Sequence, residues 1–167
     1  DCIAKYTENA QEAGLDGVVC SPLEASLVKE HCGKEFFTVT PGVRFADGDV
    51  YVGEYANGLR SGYGIYTCEN GSKYVGEYKQ GEIEGRGRYE MPSGEVYDGE
   101  WLQNKRHGQG ICRWPNGDVY EGEWVDDRPH GEGCMTLADG TVYIGEYSEG
   151  LKEGKGKVIH PDGTSME

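Results

Sequence analysis

From residue 51 onward the chain alternates apolar and polar positions in two short runs every 23 residues. In the first run Tyr51, Gly53 and Tyr55 fall on one face and Glu54 on the other. In the second, Gly62, Gly64, Tyr66 and Cys68 share a face. One face is thus aromatic, aliphatic and glycine, while the other carries Glu, Arg, Lys and Gln. Period-two alternation of this kind predicts an antiparallel sheet with one solvated face, built from hairpins.

The register is strict. Tyr51, Tyr74, Tyr97, Tyr120 and Tyr143 are 23 residues apart, and each is followed by x-Gly-Glu and a second aromatic: Tyr55, Tyr78, Trp101, Trp124 or Tyr147. A Gly-x-Gly pair follows in every unit, and one glycine closes each, from Gly71 to Gly163. The closing pairs Asn70-Gly71, Asn116-Gly117, Asp139-Gly140 and Asp162-Gly163 predict type I′ turns, with Ser93-Gly94 the weaker member. The opposite turn, such as Asn57 to Gly62, reads as longer. Asn104 and Asp127 replace its usual glycine, and both residue types tolerate positive φ. Glycine in a strand marks close approach by other atoms, so a neighbouring ring is expected over it. A single hairpin is marginal; stacking neighbours supplies the core.

The beat stops before residue 43, which divides the chain into residues 1–42 and 43–167, with a half-repeat at 43–50 and repeats starting at 51, 74, 97, 120 and 143. Residues 3–13 read as a helix, 15–20 as a strand, 22–32 as a helix opened by the capping box Ser21-Pro22-Leu23-Glu24, and 36–40 as a strand. That order predicts a short α/β piece with parallel strands.

The pattern Y-x-G-E-[YW], H-G-x-G, N/D-G closely resembles the MORN repeat (membrane occupation and recognition nexus) over residues 51–165. The resemblance implies an elongated, twisted, single antiparallel sheet of stacked hairpins and a non-catalytic role in organising cytoskeletal or membrane-adjacent complexes in the cytoplasm. A second resemblance covers about residues 5–44. Ala13 to Ser21 and Phe37-Thr38-Val39-Thr40-Pro41-Gly42-Val43-Arg44 resemble late strands of orotidine 5′-phosphate decarboxylase, in which the position of Arg44 contacts the substrate phosphate. The catalytic Lys/Asp cluster of that family comes earlier in its barrel and has no counterpart here. Three origins stay open: a barrel upstream of Asp1, a remnant reused as an N-terminal cap, or an artefactual join.

Charge narrows the partners. Sixteen basic and thirty acidic residues give −14, which on average repels nucleic acid and anionic bilayers. The chain has no run of 18 apolar residues and opens on no signal-peptide pattern. Its six cysteines form no C-x-x-C and read as free thiols in a reducing compartment. No catalytic, cofactor or metal motif is found. His107 and His130 sit one repeat apart and read as turn hydrogen-bonders. The glutamates at 54, 77, 100, 123 and 146 read as a solvated row. The second aromatic row, Tyr55, Tyr78, Trp101, Trp124 and Tyr147, is expected to be partly exposed in a groove that binds a protein partner or a second copy. Lys105, Arg106 and Arg113 form a candidate patch for a phosphoinositide or acidic peptide, the alternative to protein binding. A further alternative is the C-terminal part of a decarboxylase fusion.

Overall fold

The computed structural model describes residues 17–19, 37–39 and 43–166. The helices expected over 3–13 and 22–32 lie outside the described residues. Strands β1 (Gly17–Val19) and β2 (Phe37–Val39) pair in parallel, Gly17 opposite Phe37. The remaining strands are β3 (Val43–Arg44), β4 (Val50–Ala56), β5 (Leu59–Thr67), β6 (Lys73–Lys79), β7 (Glu82–Glu90), β8 (Val96–Leu102), β9 (Lys105–Arg113), β10 (Val119–Val125), β11 (Arg128–Thr136), β12 (Val142–Ser148), β13 (Leu151–Ile159) and β14 (Ser165–Met166). They follow one another in chain order in an open antiparallel sheet of twelve strands. The chain divides into two compact units, residues 1–69 with 75–82 and residues 70–74 with 83–167.

In both units the core is a row of tyrosines laid over glycines. Tyr51, Tyr74, Tyr97 and Tyr120 are at most 2% exposed. The Tyr51 hydroxyl donates to the Glu54 carbonyl at 3.0 Å; Tyr97 donates to Glu100 at 2.9 Å and Tyr120 to Glu123 at 3.0 Å. To reach three residues along its own strand, the ring must lie flat across the hairpin. A Cβ added to Gly53 would stand 2.6 Å from both the Tyr51 hydroxyl and the Gly64 Cα. Glycine here is a steric requirement. Burial pushes these hydroxyls up, that of Tyr120 to about 12, so they remain protonated donors.

Tyr51, Tyr97 and Tyr120 each also meet the edges of two further rings. In the first unit Tyr51 lies 5.1 Å from Tyr55 and 5.2 Å from Tyr78. In the second, Tyr97 lies 5.1 Å from Trp101 and 5.3 Å from Trp124, and Tyr120 lies 5.2 Å from Trp124 and 5.1 Å from Tyr147. All are edge-to-face, worth about 0.5–1.5 kcal/mol per pair beyond burial.

The turns exchange the roles predicted for them. The Asn-Gly and Asp-Gly pairs do not form type I′ turns. Gly48 N donates to Phe45 O and Phe45 N to Asp49 O, with positive φ at Gly48 alone; residues 91–95, 114–118, 137–141 and 160–164 repeat this geometry. This is a three-residue loop closed by a left-handed glycine. The Asn or Asp before that glycine accepts from the residue after it, as Asn70 Oδ1 does from Ser72 N at 2.8 Å. The type I′ turns sit at the opposite end, where Asn57 and Gly58 have φ of 53° and 77°, and Asp126 and Asp127 47° and 69°. Asn104, with φ 65°, keeps the left-handed geometry expected of it.

The two glycines of Gly-x-Gly also differ. Gly64, Gly110 and Gly133 lie under the tyrosine rings, but Gly62, Gly108 and Gly131 have positive φ and face the carboxylates of Glu54, Glu100 and Glu123. The ladder explains why. Gly53 pairs with Gly64 and Tyr55 with Arg60, so Glu54 alone spans residues 61–63. The bulge rotates the first glycine to the other face. The glutamate row is largely exposed, as expected, yet it fills this bulge: Glu54 Oε1 accepts from Tyr63 N at 3.1 Å.

Candidate functional site: two arginine clefts

The aromatic face carries a cleft in each unit. The first-unit cleft, about 310 Å³, is lined by Phe45, Tyr55, Gly58, Leu59, Arg60, Tyr66 and Gly81. The second-unit cleft, about 290 Å³, is lined by Ile83, Tyr89, Met91, Glu95, Tyr97, Trp101, Asn104, Arg106 and Asp127. A shift of 46 residues, two repeats, carries Phe45, Tyr55, Gly58, Arg60 and Gly81 onto Met91, Trp101, Asn104, Arg106 and Asp127.

The arginine marks the cleft. The tenth repeat position reads Arg60, Ile83, Arg106, Pro129, Lys152, a cation in every second unit. Arg60 lies over the rings of Tyr66 at 5.0 Å, Tyr78 at 5.1 Å and Tyr51 at 5.9 Å, within cation–π range, and donates to Gly81 O at 2.9 Å. Arg106 lies 4.5 Å over Trp124, donates to Asp127 O at 3.1 Å, and pairs with Glu95 at 3.2 Å and with Asp127 Oδ1 at 3.3 Å. The side chains of Arg106 and Glu95 are only 20% and 21% exposed, so this charge is internally matched.

Asn104 and Asp127, the departures from the glycine pattern, have a reason. Each sends its side chain back one repeat: Asn104 Oδ1 accepts from Ile83 N at 2.8 Å, and Asp127 Oδ1 from Arg106 N at 3.0 Å. At the next step Gly150 faces Pro129, which has no N–H to cap, and the backbone bond Gly150 N to Pro129 O remains at 2.9 Å.

The second aromatic row, expected to be partly exposed, is buried: Tyr55 7%, Tyr78 4%, Trp101 8%, Trp124 2% and Tyr147 5% exposed. Its rings are needed as edge partners for the tyrosine row, and the indole N–H groups of Trp101 and Trp124 donate to Gly87 O and Gly110 O. Of this row, Tyr55 and Trp101 line the two clefts described. The basic patch does not assemble. Arg106 faces the cleft with Trp101, its cross-strand partner, whereas Lys105 pairs with Asp126 at 3.3 Å and Arg113 is exposed beside buried Cys112, on the other face. Arg44 is exposed in β3, paired with Val50 in the sheet. His107 does not make the expected turn hydrogen bond: its Nδ1 is buried without a partner.

Among the described residues Cys68, Cys112 and Cys134 are free, and no group of three His, Cys, Asp or Glu is placed to hold a metal. Burial, with Glu95 beside it, pushes the Cys112 thiol up to about 12, which leaves it a poor nucleophile. Sequence reasoning missed Arg60 and Glu95. The signal was the two-repeat alternation at the tenth position.

Known proteins divide along the chain. A stretch is 53% identical over 51 residues to orotidine 5′-phosphate decarboxylase of Geobacillus thermodenitrificans, covering 30% of this chain and 21% of that one. The Bacillus caldolyticus enzyme is 57% identical over 47 residues, 28% and 19% of the two chains. The chain thus spans about a fifth of the length of these relatives. Among solved structures, the SAS-4 TCP domain of Drosophila melanogaster, in complex with a proline-rich motif of Ana2, is 17% identical over 75% of each chain with a TM-score of 0.45. The TCP10 domain of Danio rerio CPAP has a TM-score of 0.39 over 75% of this chain and 66% of that one, also at 17% identity. The MORN repeat model matches residues 51–73, 74–96, 97–119, 120–142 and 143–165, and the chain belongs to the MORN-repeat family.

Proposed function

We propose that this chain is a non-catalytic interaction module whose arginine clefts each receive an apolar side chain of a protein partner. The observation that carries this reading is the recurrence of one cleft at one repeat position, 46 residues apart. At 290 and 310 Å³ the clefts lie at the bottom of the small-molecule range of roughly 300–1,000 Å³. They suit single side chains better than a metabolite. Their walls are aromatic and aliphatic. In the second-unit cleft the polar groups already satisfy one another, which favours an apolar occupant over a charged one.

Phosphoinositide binding, the alternative, finds less support, because Lys105 and Arg106 are each paired with a carboxylate. Decarboxylase activity would need the rest of a barrel of about 250 residues. We assign the segment resembling it to a covering role at the start of the array, where a repeat core needs a cap.

Quantitative affinity capture tests the reading. Met91→Arg fills the second-unit cleft at an exposed rim, and Ile144→Arg places the same charge at an exposed site outside both clefts. Partners lost with M91R and retained with I144R are the expected result. Identical capture by all three proteins would sink the cleft as the binding site.

A further inference from the structure

The two clefts differ in how completely their cation is answered. In the second unit protein acceptors surround Arg106. Asp127 Oδ1 accepts from its backbone N–H at 3.0 Å and from Nε at 3.3 Å. Glu95 Oε1 accepts from Nη1 at 3.2 Å, and Asp127 O from Nη2 at 3.1 Å. In the first unit the backbone acceptor is kept, since Arg60 Nη2 donates to Gly81 O at 2.9 Å. Neither carboxylate is kept. Gly81 stands two repeats before Asp127 and has no side chain to accept from Arg60 N or Nε. Asp49 stands two repeats before Glu95, but its oxygens accept from the Tyr66 hydroxyl at 2.6 Å and the Glu69 N–H at 2.9 Å. Among the described residues Arg60 has rings and one carbonyl as partners, and no carboxylate.

The place of the missing acid is open. A Cβ added to Gly81 would meet Leu59 at 3.6 and 4.0 Å, which is ordinary contact. Arg60 and Gly81 both line the 310 Å³ cleft, with Phe45, Tyr55, Leu59 and Tyr66 around them. Arg60 is half-buried there. Rings attract its charge but leave most of its five N–H donors unanswered. A half-dry guanidinium with open donors selects a carboxylate, because a charge-assisted bond replaces the water it has lost.

We propose that the first-unit cleft recognises an apolar residue of a protein partner together with an Asp or Glu beside it, whose carboxylate takes the place that Asp127 fills in the second unit. This inference rests on the reading of the clefts as receptors for side chains. Apolar walls and open cation belong to one cleft, so both features come from neighbouring residues of one segment. Charge complementarity then makes the two clefts unlike: the first selects an acidic flank, and the second, already neutralised, does not.

The test titrates the full chain with short peptides, followed by NMR at the Arg60 Nε–H and the rings of Tyr55 and Tyr66. Acetyl-leucyl-glutamyl-amide is expected to bind saturably in the millimolar range, and its glutamine counterpart about tenfold more weakly. Gly81→Asp installs the second unit's acid at a left-handed position, φ 90°, which Asp127 occupies at 69°. It should abolish the preference for glutamate, as should Arg60→Met. Arg113→Met, an exposed cation on the other face, should leave affinity unchanged. Equal binding of the glutamyl and glutaminyl peptides would overturn the inference and leave the apolar reading standing. Equal binding of acetyl-leucyl- and acetyl-glycyl-glutamyl-amide would instead sink the apolar reading at this cleft. A glutamate preference that survives Gly81→Asp, in a protein of unchanged circular dichroism, would put the carboxylate elsewhere and overturn the inference. Tighter binding of acetyl-leucine would also overturn it, by making a chain terminus the occupant. No shift with any peptide would overturn inference and reading together.

Discussion

The two clefts are built on one backbone and solve the burial of an arginine differently. In the first unit Tyr66 stands between cation and acid: its ring lies under Arg60, and its hydroxyl donates to Asp49 Oδ2 at 2.6 Å. Two repeats on, the same positions are Cys112 and Glu95. Cysteine leaves space, glutamate is one methylene longer, and Arg106 meets the carboxylate directly at 3.2 Å, with the Cys112 thiol 3.5 Å from the same oxygen. The backbone acceptor, Gly81 O or Asp127 O, is unchanged. The repeat thus fixes where the guanidinium goes, under rings in both units, while two side chains decide whether a carboxylate meets it directly.

The largest test of this contrast removes the ring under each cation. Trp124→Ala should cost about 4 kcal/mol in urea denaturation, because the indole supports Arg106, two tyrosines and a hydrogen bond to Gly110. Tyr78→Ala should cost about 3 kcal/mol. Equal losses would mean that the stack matters and the indole bond does not.

Replacing the cations separates them further. Arg106→Met leaves Glu95 half-buried without its partner and should cost about 2 kcal/mol, whereas Arg60→Met, losing stacking and one backbone bond, should cost about 1 kcal/mol. A smaller penalty at Arg106 than at Arg60 would break the comparison.

Alkaline titration comes next. Burial, first of several causes, raises Cys112 from 9.0 to about 12 and Tyr66 from 10.0 to about 12. An acid with a raised folded value stabilises the fold fully below its unfolded value and loses that contribution as pH rises to the folded one. The second-unit cleft should therefore weaken from about pH 9 and the first from about pH 10. Cys112→Ala should reduce the loss that begins near pH 9 in thermal melts, leaving the share of Cys68, whose thiol burial also raises.

The smallest effect is acidic. Hydrogen bonds from Tyr66 and from the Glu69 N–H hold Asp49 below its usual 3.8. Its contribution is present above that value and lost as pH falls through the depressed one. Asp49→Asn should flatten the decline in melting temperature below about pH 4. An unchanged acid limb would remove Asp49 from the account.

Much of this was legible in the chain. The period, the strands and the face shared by Tyr51, Gly53 and Tyr55 follow from alternation alone, and a glycine two residues from an aromatic announces a ring lying over it. The turns were not legible. Asn70-Gly71 suits a type I′ turn and a left-handed closing glycine equally, and the choice depends on the ladder. Gln80 or Glu149 at positive φ is invisible to propensity, because the hairpin twist imposes it. The exposure expected of Trp101 and Trp124 failed for a related reason: in a one-layer core, a ring row must serve as its own second layer. The cleft was encoded plainly, but at a period of 46 rather than 23 residues.

That doubled period bears on how such an array can grow. The tyrosine bond to the carbonyl three residues on closes inside one hairpin, so the backbone tolerates gain or loss of a single 23-residue cassette. The Arg–Ile–Arg–Pro–Lys series does not. Duplicating one cassette would set two cations or two apolar residues side by side and put the cleft rhythm out of phase; duplicating a pair would preserve it. The backbone repeats in ones, and the unit of inheritance for its surface chemistry is two.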